Sequence, residues 1–229
     1  NFRLLTDLAT KQKLILERGI QQIACVDFSR EFASITAHDF ICNYILKQLN
    51  ASYVICGFNY RFGYKAQGDV NLLIDYGKKY GFTVEVIPPF YADGVAVSST
   101  RIRQALANGD VKLAAWLLGR YHSYFGQVIS GQQLGRKLGF PTANFLLNPD
   151  LQLPGPGVYL TWCYLQDGTS YPSMTSVGDN PTVAGKQVTV ESYLLDFTGD
   201  LYGQTVELQF LERMRDMEKY PTVEDLRLQ

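Results

Sequence analysis

The sequence predicts an α/β domain followed by an antiparallel β domain, either a barrel or a sandwich. Three observations carry that prediction. As far as about Leu118, apolar residues alternate between helical and strand-like spacing, segment after segment. Beyond about Tyr121 the helical period disappears, and short alternating runs take over, separated by Gly, Pro, Asn and Asp. The chain contains no internal repeat and no low-complexity tract, so the change of pattern marks a domain boundary. It is placed between Gly119 and Ser123, giving domains at 1–120 and 121–229 joined by a short linker.

In the first domain, a helix is expected over residues 8–17 and an apolar strand over 23–26. A helix over 37–49 leads to a strand at 53–56, and another over 69–80 leads to a strand at 82–87. Two short helices follow, at 100–107 and 111–118. In the second domain the expected strands are 124–129, 158–165, 170–177, 187–197 and 205–210. After Pro221, Thr222 is a candidate N-cap for a helix that only a few residues continue.

With 46% hydrophobic residues in 229, the chain has ample material for packed cores. No stretch approaches the roughly 18 apolar residues of a membrane span, and no signal-peptide pattern opens the sequence. A soluble, cytoplasmic protein without a membrane partner is expected. Its net charge of −1, from 21 basic and 22 acidic residues, leaves no basic face for general nucleic-acid binding. A nucleotide is still compatible, because a triphosphate needs only a few local cations and backbone amides. Cys25, Cys42, Cys56 and Cys163 form no C-x-x-C pair, and only His38 and His122 could complete a metal site, so free, mostly buried thiols are expected rather than structural zinc. Oligomeric state leaves no mark in the sequence.

The chemistry concentrates in the run Gly135, Arg136, Lys137, Leu138, Gly139, Phe140, Pro141, Thr142, Ala143, Asn144. Glycines at 135 and 139 let backbone amides approach a polyphosphate, with Arg136 and Lys137 supplying charge beside them. Thr142 and Asn144 offer side-chain oxygens suited to Mg²⁺, which binds through few protein groups plus nucleotide phosphates. The same spacing also suits a plain hairpin with solvated cations. Further on, strand alternation puts Glu191, Tyr193, Leu195 and Phe197 on one face and Val190, Ser192, Leu194 and Asp196 on the other. Glu191 is then either a general base among large apolar neighbours or an exposed acid at a strand end.

Gly178 and Asn180 belong to a Gly-Asp-Asn-Pro sequence, followed at once by Thr182, that reads as a turn with or without a ligand over it. Arg213 and Arg215 follow the last strand and could approach a bound substrate or its phosphate, but they read best as solvated cations. In the first domain, Ser98 or Ser99 can cap a helix whose positive end suits an anion, with Thr100, Arg101 and Arg103 in its first turns.

Taken in order, Gly126 to Asn144, Gly157-Val158-Tyr159, the residues from Ser176 to Thr182, Val190-Glu191-Ser192, Asp196-Phe197 and Asp200-Leu201-Tyr202-Gly203 together resemble the riboflavin kinase module. The loop Gly57-Phe58-Asn59-Tyr60-Arg61-Phe62-Gly63 with Gly68-Asp69, and the segment from Ser98 to Arg103, are similar to bacterial FMN adenylyltransferases. The resemblance to the bifunctional riboflavin kinase/FAD synthetases therefore covers nearly the whole chain. It implies an incomplete Rossmann-type, nucleotidyltransferase-like domain followed by a β-barrel kinase domain. It implies riboflavin, FMN and ATP as substrates and Mg²⁺ as the ion, with Glu191 accepting the proton of the riboflavin 5′-hydroxyl. Gly178, Asn180 and Thr182 would lie over nucleotide and flavin, and Gly57, Asn59, Ser98, Ser99, Thr100, Arg101 and Arg103 would bind the adenylyltransferase's nucleotide.

The chain departs from the family pattern at its start, where a first strand and a His-x-Gly-His turn would stand. Sequence before Asn1 is therefore expected, and adenylylation by residues 1–229 alone is expected to be inefficient. A non-catalytic flavin-binding or delivery module is the competing reading, with an oligonucleotide-binding barrel behind it.

Overall fold

The computed structural model describes residues 3–131, 140–182 and 185–218. The chain forms two compact units, one of residues 20–97 and one of residues 1–19 with 98–229. The helix expected after Pro221 lies outside the described residues.

The larger unit opens with α1 (Leu8–Leu16), whose N-cap Asp7 accepts from the Thr10 amide at 2.6 Å. The unit 20–97 begins with α2 (Arg30–Ala33), then α3 (Ala37–Asp39), which runs into a wider π-type helix, Phe40–Gln48. Buried Ala37, Ile41 and Ile45 recur every four residues and meet Phe62, Leu73 and Phe82 in this unit's core. That spacing suits a winding wider than 3.6 residues per turn.

Next come β1 (Tyr53–Gly57), α4 (Val70–Tyr80) and β2 (Thr83–Ile87). The two strands pair in parallel, Tyr53 opposite Thr83 through Gly57 opposite Ile87, and α4 supplies the crossover such a pair requires. Asp69 starts α4 by accepting from the Leu72 amide at 2.9 Å, and Gly81, at φ 83°, ends it in the left-handed region. A short hairpin of β3 (Tyr91–Ala92) and β4 (Val95–Ala96) closes the unit. The strand expected at 23–26 does not form. An apolar run becomes a strand only where a neighbour accepts its ladder bonds, and among the described residues none pairs with this one.

In the other unit α5 (Ser99–Ala107) and α6 (Val111–Leu118) follow, capped by Ser98 and Asp110. Six strands then close a barrel among the described residues: β5 (His122–Ile129), β6 (Thr142–Leu146), β7 (Gly157–Tyr164), β8 (Ser170–Thr182), β9 (Gly185–Leu194) and β10 (Thr205–Arg215). Around the barrel their order is β10, β5, β6, β9, β8, β7, with every neighbouring pair antiparallel. Helix α6 packs on β5 and β10.

The barrel interior alternates with the outside along each strand. Tyr124, Tyr159, Phe210, Leu208 and Val206 fill it, together with a chain of buried hydroxyls. Thr161 lies 2.7 Å from both Ser173 and Thr175, and Thr175 donates to Ser192 at 2.9 Å.

Two expectations for this half need correction. The sequence around Gly178, Asn180 and Thr182 is not a turn but the end of β8, with Gly178 opposite Thr189, Asn180 opposite Gln187 and Thr182 opposite Gly185. Ladder bonds from β9 override the local turn preference of Gly-Asp-Asn-Pro. Conversely, β9 stops at Leu194, and Asp196 adopts a left-handed φ of 57°. Leu195 and Phe197 therefore do not continue the face of Glu191.

Candidate active site

Strand β6, which the sequence disguises as the tail of a ligand loop, brings the predicted residues together. It pairs with β9 so that Thr142 faces Tyr193, Ala143 faces Ser192 and Asn144 faces Glu191. Directly opposed residues share a face. Val190 and Ser192 are buried inside the barrel, so Glu191 and Asn144 lie side by side on the outer face, with Thr142 diagonal to them. The Thr142 hydroxyl donates to Glu191 Oε2 at 3.4 Å. On the far side, Ser176 of β8 stands opposite Glu191 and donates to its backbone carbonyl at 3.4 Å. Phe140 packs edge-on against Tyr193 at 5.5 Å, next along the same face. The three oxygen-bearing side chains are half-buried.

A cavity of about 500 Å³ opens over this patch. Gly131, Pro141, Thr142 and Asn144 line it together with Val128, Ala143 and Leu194 from the inward-facing positions of their strands, and residues 197–202 supply a second stretch of wall. Glu191 is outside the lining and reaches the cavity through the Thr142 hydroxyl. Asp200 shapes the second wall by accepting from the Tyr202 amide at 2.9 Å. Sequence reasoning gave no role to Gly131 or to residues 197–202. The signal present was the Asp-Phe and Asp-Leu-Tyr-Gly stretches, which carried the resemblance without a stated task.

Gly135, Arg136, Lys137 and Gly139 lie outside the described residues. The backbone of Gly178 accepts from Thr189 Oγ1 at 3.4 Å, and a Cβ there would come within 2.9 Å of Met217. Asn180 and Thr182 follow it along the β8 backbone. Arg213 is a partly solvated cation, its side chain 34% exposed, and it is held in place. It lies against Gly109 and Gly157, donates to the Pro156 carbonyl at 2.8 Å and pairs with Asp216 at 2.6 Å.

In the unit 20–97, Gly57 ends β1 and Asn59 follows in a tight turn closed by the Tyr60 amide on the Gly57 carbonyl at 3.0 Å. This is the carboxyl end of a parallel strand pair, where open α/β sheets place ligands. Arg61 pairs with the cap residue Asp69 at 3.4 Å. A cavity of about 620 Å³ in this unit, lined by Thr36, Asp39, Asn43, Tyr44 and Lys47 among others, is larger but holds none of the predicted site residues. Size alone does not make it the reaction site.

Ser98 caps α5 by accepting from the Arg101 amide at 3.2 Å, placing Ser99, Thr100 and Arg101 in the first turn. Arg103 uses its Nε to donate to the Arg3 carbonyl at 2.6 Å. These five residues belong to the compact unit of the barrel, and Gly57 and Asn59 to the other.

Two buried groups are strongly perturbed without belonging to the patch. Burial holds His122 down to about 4, against a weaker opposing pull from the Gln152 carbonyl that accepts from its Nε2 at 2.9 Å. Burial also pushes the Cys163 thiol up to about 12.

Both halves of the sequence resemble known proteins. The riboflavin kinase family profile matches residues 118–229, and the FAD synthetase profile matches residues 1–101. The chain is 36% identical over 225 residues to the bifunctional riboflavin kinase/FMN adenylyltransferase of Escherichia coli (strain K12), covering 98% of this chain and 72% of that protein. It is 37% identical over 210 residues to the protein of the same name from Haemophilus influenzae, covering 92% and 68%. Among solved structures, a crystal structure from Streptococcus pneumoniae described as a macrolide-efflux protein matches 97% of this chain and 71% of its own, with a TM-score of 0.88 and 36% identity. From the two profiles in this order, and from relatives similar across nearly all of its length, the chain belongs to the bifunctional riboflavin kinase/FMN adenylyltransferase family.

Proposed function

We propose that this chain phosphorylates the 5′-hydroxyl of riboflavin with ATP, and that its N-terminal half serves the adenylylation of FMN to FAD. The kinase is assigned to residues 121–229 and the adenylyltransferase to 1–120. The observation that carries the kinase reading is the meeting of Thr142, Asn144 and Glu191 on adjacent strands beside a cavity.

The donor set fits Mg²⁺. A hydroxyl and a carboxamide are hard oxygen ligands, and the described residues contain no cluster of three or more His, Cys, Asp or Glu that would favour another metal. Because the Thr142 hydroxyl gives its hydrogen to Glu191, its lone pairs are left for a cation on the cavity side. Thr142 and Asn144 would hold the ion, which when bound neutralises charge on the phosphate oxygens.

This chain's own groups do the rest. The cavity receives the nucleotide, and the sequence pattern assigns Gly135, Arg136, Lys137 and Gly139 to its phosphates. Glu191 takes the proton of the riboflavin 5′-hydroxyl as that oxygen bonds to the γ-phosphorus and the bond to the β,γ-bridging oxygen breaks, releasing ADP. Gly178, Asn180 and Thr182 are assigned to the nucleotide and flavin edge. For adenylylation, the sequence pattern assigns Gly57, Asn59, Ser98, Ser99, Thr100, Arg101 and Arg103 to the second nucleotide. The partners are small molecules, and the compartment is the cytoplasm.

The test is chromatography of riboflavin, FMN and FAD after incubation with riboflavin and MgATP. FMN is the expected product, and FAD beside it reports the adenylyltransferase half. Riboflavin that binds and is never phosphorylated would overturn the kinase reading in favour of a flavin-delivery module.

A further inference from the structure

We infer that Gly131 is a positioning residue for Asn144, holding its carboxamide by close backbone contact in the orientation the cation requires. The inference rests on the kinase reading above. Strand β5 ends with Ile129 paired to Asn144, and the chain then passes over the Asn144 side chain. A Cβ built on Gly131 would stand 2.4 Å from Asn144 Cγ, 2.5 Å from Nδ2 and 2.6 Å from Oδ1. Three nearly equal distances place that position above the flat face of the amide rather than at its edge. The Gly131 backbone is therefore a lid on one face of the carboxamide.

Glycine is not needed here for backbone freedom. Gly131 is not among the glycines with φ in the left-handed region, unlike Gly119 or Gly203. The constraint is steric, and its three nearest atoms all belong to the Asn144 carboxamide. Any side chain would drive the carboxamide about 1 Å to reach ordinary carbon contact distance. Glu191 and the hydroxyl of Thr142 stand on the same face of the sheet beside the amide, so the open direction for it is into the cavity, away from its place next to them. Gly131 and Asn144 also line the same cavity, so a displaced amide oxygen would be displaced within the nucleotide site.

The experiment uses Gly131→Ala, Asn144→Ala and the double variant in the full chain. Titration calorimetry with ADP is run with and without Mg²⁺, beside MgATP kinetics and thermal midpoints. Partners that orient a ligand typically cost 10–100-fold in metal affinity when altered. Gly131→Ala is expected to weaken Mg²⁺-dependent ADP binding by about 10–100-fold, with metal-free ADP binding changed by less than about 3-fold. In the Asn144→Ala background the same change is expected to have almost no effect, because interacting sites are non-additive.

If Gly131→Ala lowers the thermal midpoint, combining it with Asn144→Gly is expected to restore the midpoint of Asn144→Gly alone, since the clash has been removed. An undiminished effect of Gly131→Ala in the Asn144→Ala background, or Mg²⁺-dependent binding unchanged by Gly131→Ala, would overturn the inference. Failure of the unmodified chain to bind ADP with Mg²⁺ would instead bring down the kinase reading, and this inference with it.

Discussion

Replacing His122 by Gln should remove an acid sensitivity built into the barrel. His122 is fully buried beside Phe210, its Nε2 donates to the Gln152 carbonyl, and among the described residues its Nδ1 finds no partner. An added proton would place an uncompensated charge in the core, which is why burial brings the imidazole from 6.5 down to about 4. Below pH 6.5 the unfolded chain takes up this proton, while the folded chain refuses it until about pH 4. Stability contributed by the neutral imidazole is thus complete above pH 6.5 and lost as pH falls towards 4. A difference of about 2.5 in pKa at 1.36 kcal/mol each corresponds to about 3 kcal/mol.

The two tryptophans, Trp116 and Trp162, both lie in the barrel's compact unit, so their fluorescence in urea reports that unit rather than residues 20–97. The free-energy difference between the parent and His122→Gln should shift by about 3 kcal/mol between pH 7 and 4, in the variant's favour at low pH. Only this pH dependence matters, since Gln can differ from His in packing at every pH. Parallel stability curves for the two proteins over that range would refute the reasoning.

Two further outcomes follow from the barrel interior. Thr175→Val strips the central hydroxyl from the chain joining Thr161 to Ser192 and leaves buried partners short of a hydrogen bond, so urea unfolding should show a loss of about 1–3 kcal/mol. Cys163, buried and with its thiol pushed up to about 12, should resist an aromatic disulfide reagent at pH 8 until the barrel unfolds, whereas exposed Cys25 should react in the native protein; equal rates would contradict the placement.

Local chemistry made much of this architecture legible. Asp69 before a 3.6-period run and Gly81 after it bound α4, and Ser98 starts α5, because caps act within a few residues. The two-residue period of β9 correctly separated Glu191 from Val190 and Ser192. What the sequence hid depends on distant partners. Residues 23–26 have the composition of a strand but no ladder neighbour among the described residues, while β6 has one on each side and becomes a strand despite reading as a loop. Gly178 and Asn180 straighten because β9 runs beside them. Arg213 looked fully solvated because Gly109 and Gly157, which receive it, are remote in sequence. Gly131 drew no reading of its own because Asn144, the side chain it approaches, is thirteen positions away.

The central claim is that the patch on β6 and β9 performs phosphoryl transfer with Glu191 as the base, and a single-turnover comparison of the parent with Glu191→Gln tests it most directly. Excess enzyme is mixed with riboflavin and MgATP, quenched over time and analysed for FMN, with riboflavin binding followed by flavin fluorescence. Riboflavin affinity is expected to be kept and FMN formation to slow by on the order of 10²–10⁴-fold. A Glu191→Gln variant that forms FMN at the parent's rate would contradict it.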